Sequence, residues 1–230
     1  MEQTADRTPQ ISIIIPALNE SGTITGLLDF IDKHYSDSET IIADGGSTDG
    51  TVEIAGTRAK LVAAPRGRAV QMNAGAGSAS GRIFWFLHAD CIPPRNAEQL
   101  IKNACSDDRV VGGGFRWALS GSKWYYPAIT GMAHLKNRIR KNLYGDMGIF
   151  VKAPVFRDMN GYKETPLMEE VEFNNRLRKK GKIVILNEQV VSSDRRLLEN
   201  GPMRSLIRNN LIKIAYGLGC PPDYLVKFYR

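Results

Sequence analysis

Ile11-Ser-Ile-Ile-Ile-Pro-Ala-Leu-Asn-Glu20 opens with isoleucine at four of its first five positions and then turns through a proline to two polar groups. Apolar residues fill nearly every position of the run rather than alternate ones. It therefore reads as a strand buried on both faces, as in a parallel sheet, with Pro16 ending it. Asn19, Glu20 and Ser21 offer capping oxygens, and Ile24, Leu27, Leu28 and Ile31 recur at helical spacing. The same strand, turn and helix recur downstream. Glu39 to Ala43 predicts a second strand, Asp44-Gly45-Gly46-Ser47 a turn, and Thr48 or Asp49 the start of a helix to about Lys60. Leu61 to Ala64 predicts a third strand, residues 67–80 a small-residue helix, and Ile83 to Leu87 a fourth strand. Such alternation over roughly 90 residues predicts an α/β fold with a doubly wound, mostly parallel sheet flanked by helices.

Beyond it the sequence predicts a helix at Asn96 to Cys105 and a strand at Val110 to Leu119 broken by Gly112-Gly-Gly114. A basic, aromatic helix is expected at Trp124 to Tyr144 and a short strand at Met147 to Val151. A further helix is expected from Thr165-Pro166 to about Lys180, with Pro166 at its first position, and a strand at Ile183 to Leu186 closes the regular part. No repeat or linker divides the chain, which reads as a single domain. Residues 11–95 form its first half, 96–195 its second, and 196–230 a basic amphipathic helical tail.

With 230 residues, 43% of them hydrophobic and 24% charged, the chain suits one ordinary globular domain and excludes collagen-like, low-complexity and disulfide-scaffold classes. Cys91, Cys105 and Cys220 make an odd count without metal-site spacing. The longest apolar stretch is too short to span a bilayer, and the polar residues 1–10 lack the head and core of a signal peptide. A cytoplasmic location is the expectation. Residues 1–115 hold 10 Lys and Arg against 14 Asp and Glu (net −4), and residues 116–230 hold 21 against 10 (net +11). A half so basic suits phosphate-bearing ligands, an anionic membrane surface or nucleic acid, and only motifs can choose.

Ligands of open parallel sheets bind beyond the carboxyl ends of the strands. Here those positions hold Asn19 and Glu20, then Asp44 to Gly50, then Arg66-Gly67-Arg68, then His88-Ala89-Asp90. Any one of them alone is ordinary turn chemistry. Together they supply what a nucleoside diphosphate needs: a carboxylate for base or ribose, glycines for close approach, guanidinium groups for phosphate, and an Asp for a hard cation.

The ordered series Ile13-Ile-Ile-Pro-Ala-Leu-Asn-Glu20, Asp44-Gly-Gly-Ser-Thr-Asp-Gly50, Arg66-Gly-Arg68 with Asn73, His88-Ala-Asp90, Gly145-Asp-Met-Gly148 and Met168-Glu-Glu170 resembles the family 2 glycosyltransferases of the GT-A fold, in particular their small, soluble, single-domain bacterial members. The resemblance implies an inverting transfer of a sugar from a UDP- or GDP-sugar to a small-molecule or lipid-linked acceptor. It also implies that Asp44 contacts the nucleobase, that residues near Pro16 and Glu20 line the base and ribose pocket, that Arg66 and Arg68 flank the pyrophosphate, and that Asn19, Gly45, Ser47, Asn73 and Ala89 belong to the nucleotide-binding set. Asp90 matches the last Asp of the family's Asp-x-Asp motif for a divalent metal, Mg²⁺ or Mn²⁺. His88 stands where the first Asp belongs, as a metal ligand or a diphosphate contact. Glu169-Glu170 match the family's Glu-Asp pair by position, with Glu170 in place of the Asp as base and Glu169 the alternative. Gly145 and Asp146 are implied near the sugar and acceptor. Arg195 and Arg196 are candidates to reach the diphosphate from a loop, against the plainer reading of a solvated pair. Glu172 is expected to pair with Arg176 on the helix surface.

The basic aromatic stretch from Lys123 to Tyr144 and the tail from Met203 to Gly219 are candidates for packing on their own domain, for peripheral attachment to the membrane's inner face, or for a homodimer interface. Gly75-Ala-Gly77-Ser-Ala-Ser-Gly81 precedes a strand instead of following one, so it is no dinucleotide fingerprint. A nucleotidyltransferase would place a glycine-rich basic loop after the first strand, where Pro16 to Glu20 stands. The competing class is a non-catalytic binder of anionic membrane or nucleic acid; it leaves the acidic groups at the strand ends unexplained.

Overall fold

The β1 strand spans Ile11–Ala17 in the computed structural model, which describes residues 9–229 except 57, 132–133, 135–140 and 200; the side chains of residues 196, 202, 203 and 206 also lie outside the described residues. The strand alternates between two cores. Ile11, Ile13 and Ile15 pack with Ile24, Leu27, Leu28 and Ile31 of α1 (Ser21–His34), while Ile14 packs with Met72 of α3 (Arg68–Gly77) on the opposite face. Apolar cover on both faces is why the run shows no alternation.

Around it lie β2 (Ser38–Asp44), α2 (Thr51–Gly56), β3 (Lys60–Ala63), β4 (Ile83–Phe86), β5 (Cys91–Ile92), α4 (Ala97–Cys105), β6 (Val110–Leu119), β7 (Phe150–Lys152), α5 (Ala153–Asp158), α6 (Glu169–Leu177) and β8 (Lys182–Ser192). The helices α7 (Arg195–Glu199), α8 (Pro202–Gly217) and α9 (Pro222–Tyr229) complete the chain. The eight strands form one sheet in the order β3-β2-β1-β4-β7-β6-β8-β5. β1 pairs in parallel with β2 and β4, β2 with β3, and β6 with β8; β7 runs antiparallel to β4 and β6, and β5 to β8. The doubly wound, mostly parallel α/β sheet expected from the sequence is therefore present. Its order turns at β1, and the carboxyl ends of β1, β2, β4, β6 and β8 share one edge, from which β7 enters.

Several boundaries differ for physical reasons. Pro16 does not end β1, since it pairs with Ala43 and the strand runs on to Ala17. The ladder toward β4 stops where the Leu87 N–H donates to the Ile14 carbonyl (3.0 Å), and in a parallel pattern residue 16 would be the next donor on that side, so its missing N–H falls where the ladder has ended. The three glycines do not break β6. A Cβ at Gly113 would run into the Val184 carbonyl, so the glycines let β6 lie against its neighbours, with register shifts on either side. α2 is shorter than predicted, and α6 begins at Glu169 rather than near Thr165, after Met168 in the left-handed region (φ 66°). The expected strand at Met147 is a 3₁₀ turn over Gly145–Met147, with β7 following. β8 runs to Ser192, beyond the expected end at Leu186, and three helices follow in the region read as a helical tail. Within the predicted basic helix, residues 126–131 are helical, and residues including Lys136, Arg138 and Arg140 lie outside the described residues.

Candidate active site

Two groups of loops share the carboxyl edge of the sheet. On the β1–β2 side, the Asp44 carboxylate folds onto its own turn, accepting from the Gly46 N–H (2.9 Å), the Ser47 N–H (3.0 Å) and the Ser47 hydroxyl (2.5 Å). The Asn19 N–H donates to Ser47 Oγ (2.9 Å) while Asn19 Oδ1 accepts from the Thr48 N–H (2.9 Å). The caps of α1 are not the side chains expected from Asn19, Glu20 and Ser21. Thr51 Oγ1 accepts from the Glu20 N–H (2.8 Å) and Asp49 Oδ2 from the Ser21 N–H (3.0 Å), so the second loop caps the first helix. Buried Gln71 of α3 donates through Nε2 to the carbonyls of Ala17 (2.6 Å) and Ala43 (2.9 Å), and it fills the space beside Gly45. Sequence reading missed this clamp, because a polar residue on a small-residue helix carries no motif.

Arg66 and Arg68, expected to act together, part company. Arg66 is exposed, whereas Arg68 Nη1 lies 3.1 Å from Glu170 Oε1 and 3.3 Å from Glu169 Oε1. Asn73, expected among the nucleotide-binding residues, holds both backbone groups of Tyr162, donating to its carbonyl and accepting from its N–H (2.8 Å each). Glu172 does pair with Arg176 (2.7 Å).

On the second side, the antiparallel start of β7 brings the Gly145–Met147 turn beside the end of β4. Gly145 leaves no room for a side chain, since a Cβ there would run into Glu170 Oε1 and His88 Nε2. His88 Nε2 stands 3.6 Å from Glu170 Oε1, an ion-pair distance longer than a hydrogen bond. Burial would raise the Glu170 carboxyl, but His88, Arg68 and the backbone at Gly145 outweigh it and lower its pKa to about 2. Burial and the Glu170 charge raise Glu169, so Glu170 is the more readily ionised of the two. Burial, then Glu170, also raises Asp146 to about 6 against the attraction of His88, Lys213 and Arg68.

Ala89 is buried, so His88 and Asp90 flank it and both line a cavity of about 860 Å³ with Arg68, Asp146, Glu169 and Glu170. His88 Nε2 is buried without a hydrogen-bond partner. The ligand atoms of His88, Asp90 and Cys91 lie within 4.8 Å of one another. The Cys91 thiol is pushed up by burial and by Asp90 and lies 3.2 Å from Ser192 Oγ, so it stays a protonated thiol. One imidazole and one carboxylate remain, a donor pair that suits Mn²⁺ and accepts Mg²⁺ less readily. Arg195, at the start of α7, is exposed and is not among the cavity-lining residues; the side chain of Arg196 lies outside the described residues. The far wall comes from α8, which sequence reading treated only as a tail: Ser205, Arg208, Asn209 and Lys213 all line the cavity.

The family model for glycosyl transferase family 2 matches residues 12–161, from β1 to just past α5. The chain belongs to glycosyl transferase family 2. It is 27% identical over 170 residues to the glycosyltransferase AglE of Haloferax volcanii, an alignment that covers 67% of this chain and 56% of that relative. Solved family 2-like folds superpose on it. S. aureus TarS 1-349 in complex with UDP-GlcNAc gives a TM-score of 0.65 at 16% identity, covering 80% of this chain and 58% of that one. Mannosyltransferase PcManGT from Pyrobaculum calidifontis in complex with GDP-Man and Mn²⁺ gives 0.65 at 17%, covering 81% and 57%. Glucosyl-3-phosphoglycerate synthase from Mycobacterium tuberculosis gives 0.60 at 21%, covering 88% and 79%. At these identities the likeness establishes a shared GT-A fold. The chain thus spans little more than half the length of AglE, TarS 1-349 and PcManGT, and the family match ends before α6 and α8. Among the described residues no helix is long and apolar enough to cross a membrane.

Proposed function

We propose that this chain is an inverting glycosyltransferase that moves a sugar from a UDP- or GDP-sugar to an acceptor hydroxyl, with Glu170 as general base. One observation carries the reading: a buried carboxylate kept ionised by Arg68 and His88 against Gly145, at the strand edge where such sheets hold ligands. The β1–β2 loops with Pro16, Glu20, Asp44, Gly45 and Ser47 form the nucleotide side, and Arg66 is left exposed for phosphate. TarS and PcManGT, named above with UDP-GlcNAc and GDP-Man, support a nucleotide-sugar donor.

In the transfer the acceptor oxygen forms a bond to the anomeric carbon as the bond to the diphosphate breaks on the opposite face, which inverts the centre. Glu170 accepts the hydroxyl proton, and the breaking bond's electron pair leaves with the nucleoside diphosphate. Glu169, raised by burial and by the Glu170 charge, gives up its proton less readily than Glu170 and is the alternative base. Arg68 neutralises the carboxylate before the proton arrives and holds its orientation. His88 and Asp90 would hold a divalent cation, whose charge would stabilise the departing diphosphate. The orphaned Nε2 of His88 supports that assignment.

The test pairs nucleotide binding with turnover. Thermal shifts with UDP and GDP, each with and without Mn²⁺, should single out one diphosphate. Glu170→Gln should then bind it within about 2-fold of wild type while kcat falls about 10²- to 10⁴-fold. Retained turnover in Glu170→Gln with loss in Glu169→Gln would move the base by one residue.

A further inference from the structure

α8 is built inside out. Ser205, Arg208, Asn209 and Lys213 recur at i, i+3, i+4 and i+8 and face the cavity, whereas Ile207, Leu211, Ile214 and Leu218 on the other side are exposed at 56, 60, 59 and 83%. Several of the inward polar atoms have no hydrogen-bond partner among the described residues. Ser205 is 5% exposed and its Oγ bonds to nothing, and Arg208 Nε and Asn209 Oδ1 are also buried and unpaired. Trp117 Nε1, on the cavity wall contributed by β6, is a further orphan. Arg208 lies over the Tyr229 ring (5.2 Å) and Lys213 over the Tyr144 ring (4.0 Å), and neither cation makes an ion pair within 4.0 Å among the described residues. Leaving a buried polar atom unpaired is unfavourable, so several on one wall point to a ligand that completes them.

We propose that the inward face of α8, with Trp117, is a subsite for a phosphate group carried by the acceptor. Two cations with indole and hydroxyl donors match a dianionic oxyanion. The wall lines the same cavity as Glu170 and Asp146, whose charges act on Lys213, and none of Asn19, Asp44, Ser47 or Arg66 on the nucleotide side lines that cavity. The assignment of this phosphate to an acceptor rests on the glycosyltransferase reading; the phosphate subsite itself does not.

The probe is inorganic phosphate, titrated by calorimetry into protein saturated with Mn²⁺ and whichever of UDP or GDP binds, with chloride of matched ionic strength as control. Saturable binding is expected, weakened about 10-fold or more by Arg208→Gln and by Lys213→Gln, with the nucleotide Kd changed by less than about 2-fold. Arg208→Lys should recover part of the loss, and melting curves identify any variant that fails to fold. Ser205→Ala, which keeps every charge, should weaken phosphate by a smaller factor of about 3. No phosphate binding above the chloride control overturns the proposal. So does an equal loss of nucleotide affinity, which would give α8 to the donor diphosphate. If no nucleotide binds at all, the glycosyltransferase reading fails, and phosphate titrated alone still decides the subsite.

Two sources of acceptor phosphate fit, a soluble phosphate ester and a lipid whose headgroup enters the cavity while its chains meet the exposed apolar side of α8. Co-sedimentation with phosphatidylcholine vesicles carrying phosphatidic acid, but not phosphatidylserine, and its loss in Arg208→Gln would sustain the subsite with a lipid source. Phosphate binding without that preference would sustain it with a soluble one.

Discussion

The two sides of the carboxyl edge satisfy their polar groups in opposite ways. On the β1–β2 side Asp44, Ser47, Asn19, Asp49 and Thr51 bond one another and the backbone, so the loops are finished before any ligand arrives. On the β4–β7–α8 side His88, Trp117, Ser205, Arg208 and Asn209 each keep a buried atom unpaired. A surface satisfied in advance presents a fixed shape, whereas one left unsatisfied is completed by what binds there. On the proposed reading, the first side takes the nucleotide and the second sets substrate identity.

The largest expected departure from this contrast comes from Gly145→Ala. The new Cβ would displace the Glu170 carboxylate and the His88 ring, so kcat should drop about 100-fold or more while nucleotide Kd, set on the finished side, stays within about 2-fold. An equal loss of nucleotide affinity would mean the two sides are one unit. Next, Gln71→Leu should strip donors from two buried carbonyls and lower stability by about 2–4 kcal/mol in denaturant titrations, with nucleotide binding weakened as the β1 and β2 ends loosen. A change below about 0.5 kcal/mol would show that the clamp is dispensable.

The smallest effect is the most diagnostic in sign. The pKa of Asp146 is raised from 3.8 to about 6, chiefly by burial, so the folded state binds its proton more tightly than the unfolded state does. Stability is therefore lost as pH rises from about 4 to 6, and the cost persists above 6. Asp146→Asn removes that cost. The variant should gain about 1 kcal/mol at pH 7.5, nothing at pH 4, and lose activity at both. A variant less stable than wild type at pH 7.5 would mean that the attraction of Lys213 and Arg68 outweighs the burial of Asp146.

Much of the first side was legible because its chemistry is local. Asp44 and Ser47 are three residues apart, Asn19 and Glu20 follow their strand directly, and turn residues bond within reach of their own backbone. Helix starts read less well. Thr165-Pro166 carries the composition of an N-terminus, yet α6 waits for Met168 in a left-handed turn, a geometry set by the packing that seats Glu169 and Glu170 against Arg68. Arg68 matched a phosphate motif and turned out to hold two carboxylates 101 and 102 positions away. Nothing in the spacing could show that.

The chain's own order of residues determined the sheet, because hydrophobic periodicity and β-branching act over a few neighbours and leave a visible pattern. It also determined the family, since the strand-end residues come in a recognisable order along the chain. Only the tertiary structure decided that β7 enters the edge in reverse and sets Gly145 against Glu170, that Asn73 and Gln71 are struts, and that α8 is a wall of the site. Those outcomes depend on which distant segments meet, and a buried polar atom left unpaired is a property of the whole surroundings of an atom and not of its place in the chain.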